Sequence, residues 1–237
     1  MTSVNRDREQ QIVTPPLIVA IDGPSGAGKS TVARALAERL GVPYIDTGAM
    51  YRAIGLAAKE AGIELPIARP DRVIELADRL RIGLEPSPSG ARVLTDSRDV
   101  SEEIRRPEVS LYASAVSAIP EVRRRMVSQQ RRLAADRGGV MEGRDIGTRV
   151  FPETPFKFFL TASPEVRARR RCRELADRGQ PQPYETVLAE MTSRDEADRT
   201  RADSPLTLDD RYILIDTSER GIADIVAEME DRVRTGI

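Results

Sequence analysis

Residues 17–40 read LIVAIDGPSGAGKSTVARALAERL, and this stretch decides the fold. Its first five residues are a continuous apolar run rich in β-branched side chains, which is typical of a strand covered on both faces. Val32, Leu36 and Leu40 then recur at four-residue spacing before Gly41, which predicts an amphipathic helix ending at a glycine. The predicted order is therefore strand, glycine-rich loop and helix.

The loop 23–30 has the spacing of a phosphate-binding loop: glycine, four residues, glycine, lysine and a hydroxyl residue. Its glycines allow close approach, so that successive amides and the start of the helix surround phosphate oxygens. Lys29 would then neutralise charge between the β- and γ-phosphates, and Ser30 would bind Mg²⁺. The alternative, a glycine-rich turn with an exposed lysine, is disfavoured by the flanking strand and helix. The predicted ATP-phosphate residues are Gly23, Pro24, Ser25, Gly26, Ala27, Gly28, Lys29, Ser30 and Thr31.

Four further short apolar segments are candidates for the same sheet, with helical patterns between most of them: 42–45, 140–141, 156–160 and 212–215. Ser163-Pro164-Glu165 offers a helix start, and that helix can run to Gly179. The last helix shows one apolar stripe, made of Ile222, Ile225, Val226, Met229 and Val233. The alternation predicts a three-layer α/β fold with a central parallel sheet of about five strands. Short alternating strands around a turn-rich segment predict a small antiparallel insertion within 81–100.

Composition excludes several classes of function. With 40% hydrophobic residues and no apolar run long enough to cross a bilayer, the chain is expected to be globular and to have no membrane partner. One cysteine and no histidine exclude an internal disulfide and histidine-dependent catalysis. A net charge of −1 argues against a nucleic-acid partner. Residues 1–16 are expected to be a disordered leader without a secretory signal, so a cytoplasmic location is expected.

Arginine is the predominant basic residue, since only three of the 37 basic residues are lysine. A GC-rich genome and phosphate recognition at a few positions are both open explanations. Arg52 and Arg123 lie on segments separate from the loop and are candidates for binding a second anionic substrate, although each also fits a surface ion pair. Arg194, Asp198 and Arg201 are spaced by four and three, which places them on one helical face; an exposed helix with salt bridges is the alternative.

Four motifs together resemble bacterial cytidylate kinases: residues 23–31, 46–52 (DTGAMYR), 142–148 (EGRDIGT) and 194–201 (RDEADRTR). The resemblance extends from about residue 17 to the end of the chain. It implies the P-loop nucleoside monophosphate kinase fold, with an acceptor-binding insertion and a helical lid. It also implies a monomer that uses Mg²⁺ and moves the γ-phosphoryl of ATP to CMP or dCMP, in pyrimidine nucleotide metabolism.

The resemblance implies which residues bind the acceptor: Thr47, Arg52, Ser114, Arg123, Gly143, Arg144, Asp145, Arg194, Asp198 and Arg201. Thr47 and Arg52 would hold the phosphate and sugar side, with Asp198 near the ribose. The cytosine would be surrounded by Ser114, Arg123, Arg144 and Asp145. A carboxylate can accept from the cytosine N4 amino group, whereas uracil would leave such groups unpaired. A local salt bridge is the alternative for Arg144 and Asp145.

The resemblance also implies roles toward the donor and the transferred group for Arg194, Arg201 and Arg170. Arg194 and Arg201 would close over the phosphates as part of a mobile lid and act with Lys29 in catalysis. Arg170 would lie near the ATP base. Glu142 follows a short predicted strand and is a candidate for holding Mg²⁺, either directly or through water. The resemblance favours the contact through water, because glutamate is longer than the aspartate found at this position in family members.

The expected organisation is one kinase domain over 17–237, with its core in 17–63, 106–169 and 206–237, the acceptor-binding insertion at about 64–105 and the lid at about 170–205. Two alternatives stay open. One is a related kinase that acts on a different small molecule. The other is a nucleotide-switched binding module, although the Asn-Lys-x-Asp motif usual in regulatory GTPases is absent from the sequence.

Overall fold

The computed structural model describes residues 16–87 and 90–236. The predicted leader, residues 1–16, lies outside the described residues except for Pro16. The strands are β1 Ile18–Asp22, β2 Tyr44–Asp46, β3 Ile82–Ser87, β4 Gly90–Thr95, β5 Arg98–Asp99, β6 Gly139–Gly143, β7 Phe156–Thr161 and β8 Ile213–Asp216. The helices are α1 Lys29–Leu40, α2 Thr47–Glu60, α3 Pro70–Arg79, α4 Pro107–Ser117, α5 Pro120–Ala134, α6 Pro164–Asp177, α7 Tyr184–Thr200 and α8 Ile222–Thr235, with a 3₁₀ turn at Glu103–Arg105 and a π-helical turn at Ile146–Val150.

The central sheet has five parallel strands in the order β2-β6-β1-β7-β8. This confirms the predicted sheet. In the central strand β1, Val19 and Ile21 pack in a core with α1 and α8, while Ile18 and Ala20 pack in a core that includes the π-helical turn. Both faces of β1 are covered, which explains why its sequence is apolar at every position rather than at every second one.

The second sheet is antiparallel, with the order β3-β4-β5, and confirms the small insertion predicted within 81–100. Beside the main sheet, α2 and α4 pack closely at Gly55, where a Cβ would lie 2.8 Å from the backbone nitrogen of Ala113. This close contact places Arg52 of α2 beside Ser110 of α4. The two helices therefore form adjoining walls of the cleft that is described below.

The beginnings of α6 and α8 test two predictions: the Ser163 helix start and the apolar stripe of the last helix. Ser163 caps α6, since its hydroxyl accepts a hydrogen bond from the Val166 amide at 3.3 Å, and the helix ends at Asp177, just before Gly179. The stripe predicted for α8 is wrong at Ile222, which is 51% exposed, while the other four residues are buried. Ile222 is the first residue of α8 and faces the cleft, so it does not reach the core against the sheet.

Within residues 16–87 and 90–236, no helix is long and apolar enough to cross a membrane. The predicted lid boundary at 170 falls inside α6. The division of the chain into core, insertion and lid stays a prediction.

Candidate active site

The glycine-rich loop lies where β1 ends and α1 begins, at the carboxyl edge of the central sheet. Gly28 precedes α1 with φ 85°, and no side chain caps the first amides of the helix, which leaves them available for an anion. A Cβ at Gly23 would lie 2.0 Å from the Leu160 carbonyl oxygen, so only glycine fits against β7. Six loop residues line a large cleft: Ser25, Gly26, Gly28, Lys29, Ser30 and Thr31. Gly23, Pro24 and Ala27 are buried behind them.

Lys29 is the first residue of α1 and is only 6% exposed. Its ammonium group donates to the Pro24 carbonyl at 2.8 Å, within the same loop. The pKa of Lys29 is lowered to about 7, mainly by burial and then by the nearby Arg144, while Glu142 and Asp22 act in the opposite direction. The negative charge of a bound triphosphate would favour the protonated form of Lys29.

Two carboxylates face the loop from the ends of neighbouring strands. Asp46 ends β2 and pairs in register with Glu142 of β6, and both line the cleft together with Ser30. Tyr44 donates a short hydrogen bond to Glu142, and burial raises the pKa of the Glu142 carboxyl, with Asp46 raising it further and Lys29 opposing. Over the described ranges, no group of three or more histidine, cysteine, aspartate or glutamate residues is arranged to hold a metal ion. The hydroxyl and carboxylate oxygens nevertheless suit Mg²⁺, which binds through one or two carboxylates plus substrate phosphates.

The cleft has a volume of about 1360 Å³, larger than the usual range of about 300–1,000 Å³ for a single small-molecule pocket. The phosphate loop forms one wall. The other walls carry the predicted residues Arg52, Ser114, Arg144, Arg170 and Arg194. The volume and the two sets of polar residues leave room for two ligands side by side.

Three arginines of the cleft lie near one another. Arg52 donates to the Ser110 hydroxyl at 2.8 Å and to the Ile104 carbonyl at 3.2 Å, and burial lowers its pKa to about 10. The pKa of Arg194 is lowered to about 9, mainly by burial and then by the positive charges of Arg144 and Arg52. This mutual repulsion is relieved when an anion binds between them.

Asp198 of α7 lies between two of the predicted site residues. Its carboxylate accepts from Arg144 Nε at 2.8 Å and from Arg201 at 3.2 Å. The expectation that Arg201 shares a helical face with Arg194 needs correction, because α7 ends at Thr200 and Arg201 is extended, with ψ 142°. Arg201 reaches Asp198 all the same, since it directly follows the helix and also donates to the Ser204 carbonyl at 2.6 Å.

Arg123 and Asp145 form a buried ion pair outside the lining of the large cleft. Arg123 is 2% exposed, donates to the Ser117 carbonyl at 3.1 Å and lies over the Tyr51 ring at 5.3 Å. The structure therefore brings Arg52 and Ser114 to the cleft and keeps Arg123 behind it, facing a second, smaller cavity. Arg52 and Arg123 thus line two different cavities, and their predicted common role in binding the acceptor stays a prediction.

The remaining predicted residues lie around the loop and the strand ends. The Thr47 hydroxyl donates to the Glu142 carbonyl at 2.7 Å. At Gly143 a Cβ would lie 2.9 Å from that hydroxyl oxygen, so a side chain has no room there. Arg170 donates to the Thr217 carbonyl at 2.6 Å and to its hydroxyl at 3.0 Å, and Thr217 in turn donates to the Ala27 carbonyl at 3.0 Å. Arg170 is thus held beside the phosphate loop.

Asp22 is a functional candidate that the sequence reasoning missed. Its buried carboxylate accepts from the amides of Ile146 and Gly147, each at 2.9 Å, and from the Tyr212 hydroxyl at 2.7 Å. Burial raises its pKa, and these hydrogen bonds oppose that shift. Asp22 thereby anchors the segment that follows Arg144 and Asp145. The available signal was an acidic residue at the end of a fully apolar strand.

A phosphate loop on the central strand of a parallel sheet, facing a second set of arginines across one cleft, defines a phosphate-loop kinase. The family model described as cytidylate kinase matches residues 19–235. The chain belongs to the cytidylate kinase family.

Curated relatives that are named cytidylate kinase align over most of their length. The protein of Caldanaerobacter subterraneus subsp. tengcongensis is 50% identical, over 91% of this chain and 94% of the relative. The protein of Rhodococcus opacus is 48% identical, over the same shares of the two chains. A solved structure of an uncharacterized protein from Eubacterium ventriosum has a TM-score of 0.50 and 14% identity, over 92% of this chain and 99% of that chain. At this identity the similarity concerns the fold alone.

Proposed function

We propose that the chain transfers the γ-phosphoryl of ATP to the phosphate of CMP or dCMP, giving ADP and CDP or dCDP. The observation that carries this proposal is the single cleft in which the phosphate loop faces Arg52, Arg144 and Arg194. Donor and acceptor phosphates need two sets of positive charge, and a single-nucleotide binding module has no use for the second set. Family membership and the names of the curated relatives support cytidylate as the acceptor.

In the proposed reaction an oxygen of the acceptor phosphate forms a bond to the γ-phosphorus of ATP. The bond from that phosphorus to the bridging oxygen breaks, and ADP leaves. The attacking oxygen is already anionic, so no general base is required and the lack of histidine is no obstacle. The loop amides and Lys29 hold the donor phosphates, Arg52 holds the acceptor, and Arg194 and Arg201 stabilise the transferring group.

We propose Ser30 and Glu142 as the residues that hold Mg²⁺, with Glu142 acting through water. When bound with ATP, Mg²⁺ neutralises charge on the β- and γ-phosphate oxygens. The Tyr44 hydrogen bond supports the indirect role, because it already occupies one oxygen of the Glu142 carboxylate.

We also propose which residues contact the nucleosides of the two substrates. Ser114, Arg144 and the Arg123–Asp145 pair would contact cytosine, and Asp198 would contact the ribose. Because the Arg123–Asp145 pair does not line the large cleft, contact with the cytosine requires that the pair become accessible from it. Arg170, held beside the phosphate loop, is proposed to contact the ATP base. A cytoplasmic monomer remains a prediction.

ADP formation from Mg-ATP tests the proposal, with CMP, dCMP, UMP, AMP and shikimate offered one at a time and Lys29→Ala as the blank. Strong ADP formation with CMP and dCMP, weak formation with UMP and none in the variant are expected. Greater turnover with another acceptor would keep the kinase and contradict the cytosine site. If ADP formation did not depend on any of the acceptors, the alternative of a nucleotide-switched binding module would be favoured.

A further inference from the structure

Arg167 of α6 and Asp195 of α7 form a buried ion pair that plays no part in the proposed reaction. One terminal guanidinium nitrogen of Arg167 lies 2.5 Å from Oδ2 of Asp195, and each side chain is 5% exposed. Removing one member of such a pair leaves an uncompensated buried charge. The pair therefore holds α6 and α7 in a defined relation.

The same guanidinium group also contacts the phosphate loop. It donates to the Ser25 carbonyl at 3.1 Å and, through Nε, to the Ala162 carbonyl at 3.0 Å. In a trans peptide the carbonyl and the following N–H point in opposite directions. The bond to Ser25 therefore turns the Gly26 amide away from Arg167, and both loop residues line the cleft.

A second contact joins α7 to this peptide. A Cβ at Gly26 would lie 2.8 Å from the Met191 methyl carbon and 3.1 Å from Cβ of Arg167, so both helices pack directly on the loop. Met191 and Asp195 are one helical turn apart on α7. Arg194, next to Asp195, lines the cleft. One segment of α7 thus contacts the loop and presents an arginine to the ligand.

We propose that Asp195 is a positioning residue: acting through Arg167, it fixes the Ser25–Gly26 peptide so that the Gly26 amide faces the ATP phosphates. In this arrangement the Arg167–Asp195 ion pair connects α7 to the phosphate loop, and Arg194 is held over the same phosphates. The inference rests on the proposed use of ATP but not on the identity of the acceptor.

The test is the affinity for Mg-ADP, measured by titration calorimetry on the whole protein, with Asp195→Asn, Arg167→Met and the double variant. Because the two residues act as one unit, we expect the Kd to rise about tenfold in each single variant and no further in the double variant. Asp195→Glu, which keeps the charge, is expected to recover part of the affinity. If Arg167→Met does not fold, the nearly isosteric Asp195→Asn decides the question by itself.

Urea unfolding of the same proteins separates positioning from stability alone. A pair with a purely structural role would lower the free energy of unfolding and leave the Kd of the folded protein unchanged, which would overturn the proposal. Independent, additive effects of the two substitutions on the Kd would overturn it as well. Arg39→Met is the matched control, because it breaks an exposed pair with Glu230 of 3.1 Å, far from the loop, and should leave the Kd unchanged. Since Mg-ADP binding needs no acceptor, failure of the CMP assay would not affect this result.

Discussion

At the residue scale, the cleft brings together the like charges of Arg52, Arg144 and Arg194, of which Arg144 is paired with Asp198. The positive charges of Arg144 and Arg52 add to burial in lowering the pKa of Arg194, and Arg144 adds to burial in lowering the pKa of Lys29. Folding places these like charges together at a cost in stability. An anionic ligand offsets that cost, so binding and protonation are coupled in this cleft.

The lowered pKa of Lys29 predicts that the protein takes up protons when a nucleotide binds. Its pKa of about 7 in the free protein means that at pH 8 the amine is mostly neutral. A bound triphosphate favours the charged form and raises this pKa, so nucleotide binding at pH 8 should take up most of a proton. Calorimetric titration of Mg-ATP in buffers with different ionisation enthalpies measures this uptake. Uptake that persists in Lys29→Met would assign the proton to another group, while the surface variant Lys59→Met should behave as the wild type.

The proposed contact of Asp145 with cytosine predicts that this residue determines the preference for CMP over UMP. If its carboxylate accepts from the N4 amino group of cytosine, Asp145→Asn should reduce the preference for CMP over UMP about tenfold or more, because each mispaired buried group costs about 1–3 kcal/mol. The measurement is kcat/KM for both acceptors, with the exposed Asp216→Asn as the control. An equal fall for CMP and UMP would show that Asp145 serves Arg123 and not the base.

At the element scale, the contact of α2 with α4 positions the cleft wall that carries Arg52 and Ser114, which is proposed above to bind the acceptor and is here called the acceptor wall. Gly55→Ala introduces a Cβ 2.8 Å from the Ala113 nitrogen, and backbone cannot yield as a flexible side chain does. We expect a loss of about 1–3 kcal/mol in the free energy of unfolding. We also expect a larger rise in KM for CMP than for ATP, because Arg52 and Ser114 lie on these two helices.

Urea unfolding and steady-state kinetics check the Gly55 prediction. Gly83→Ala is the matched control, since its Cβ would meet Leu94 at an ordinary 3.6 Å. If the two substitutions were equally tolerated, close packing of α2 on α4 would not be the determinant of the acceptor wall.

At the scale of the whole molecule, the cleft exists only when segments distant in the sequence come together. Arg52, Arg144 and Arg194 come from α2, the end of β6 and α7. A ligand that bridges them binds the folded chain and not the unfolded one. CMP at 100 times its Kd should therefore raise the free energy of unfolding by about 2.7 kcal/mol.

Thermal unfolding with CMP and with cytidine at equal concentration tests the part played by the phosphate. Cytidine, which lacks the anion, should shift Tm much less, and the effect of CMP should weaken in Arg194→Met. Equal shifts by the two compounds would contradict the assignment of these arginines to the acceptor phosphate.

The sequence alone determined the five strands, the phosphate loop, the Ser163 cap and the antiparallel insertion, because these depend on residues only a few positions apart. Spacing and family motifs also predicted roles for Arg52, Arg144 and Arg194, and the fold brings these three residues to the lining of one cleft. Tertiary structure decided the strand order, the exposure of Ile222, the burial of Arg123 with Asp145, and the contacts of Asp22 and Arg167. Asp22 and Tyr212 are 190 residues apart, and Arg167 and Ser25 are 142 apart. No local propensity encodes such pairs. They form because packing buries a charged side chain beside a distant polar group, and a buried charge must find a hydrogen-bond partner.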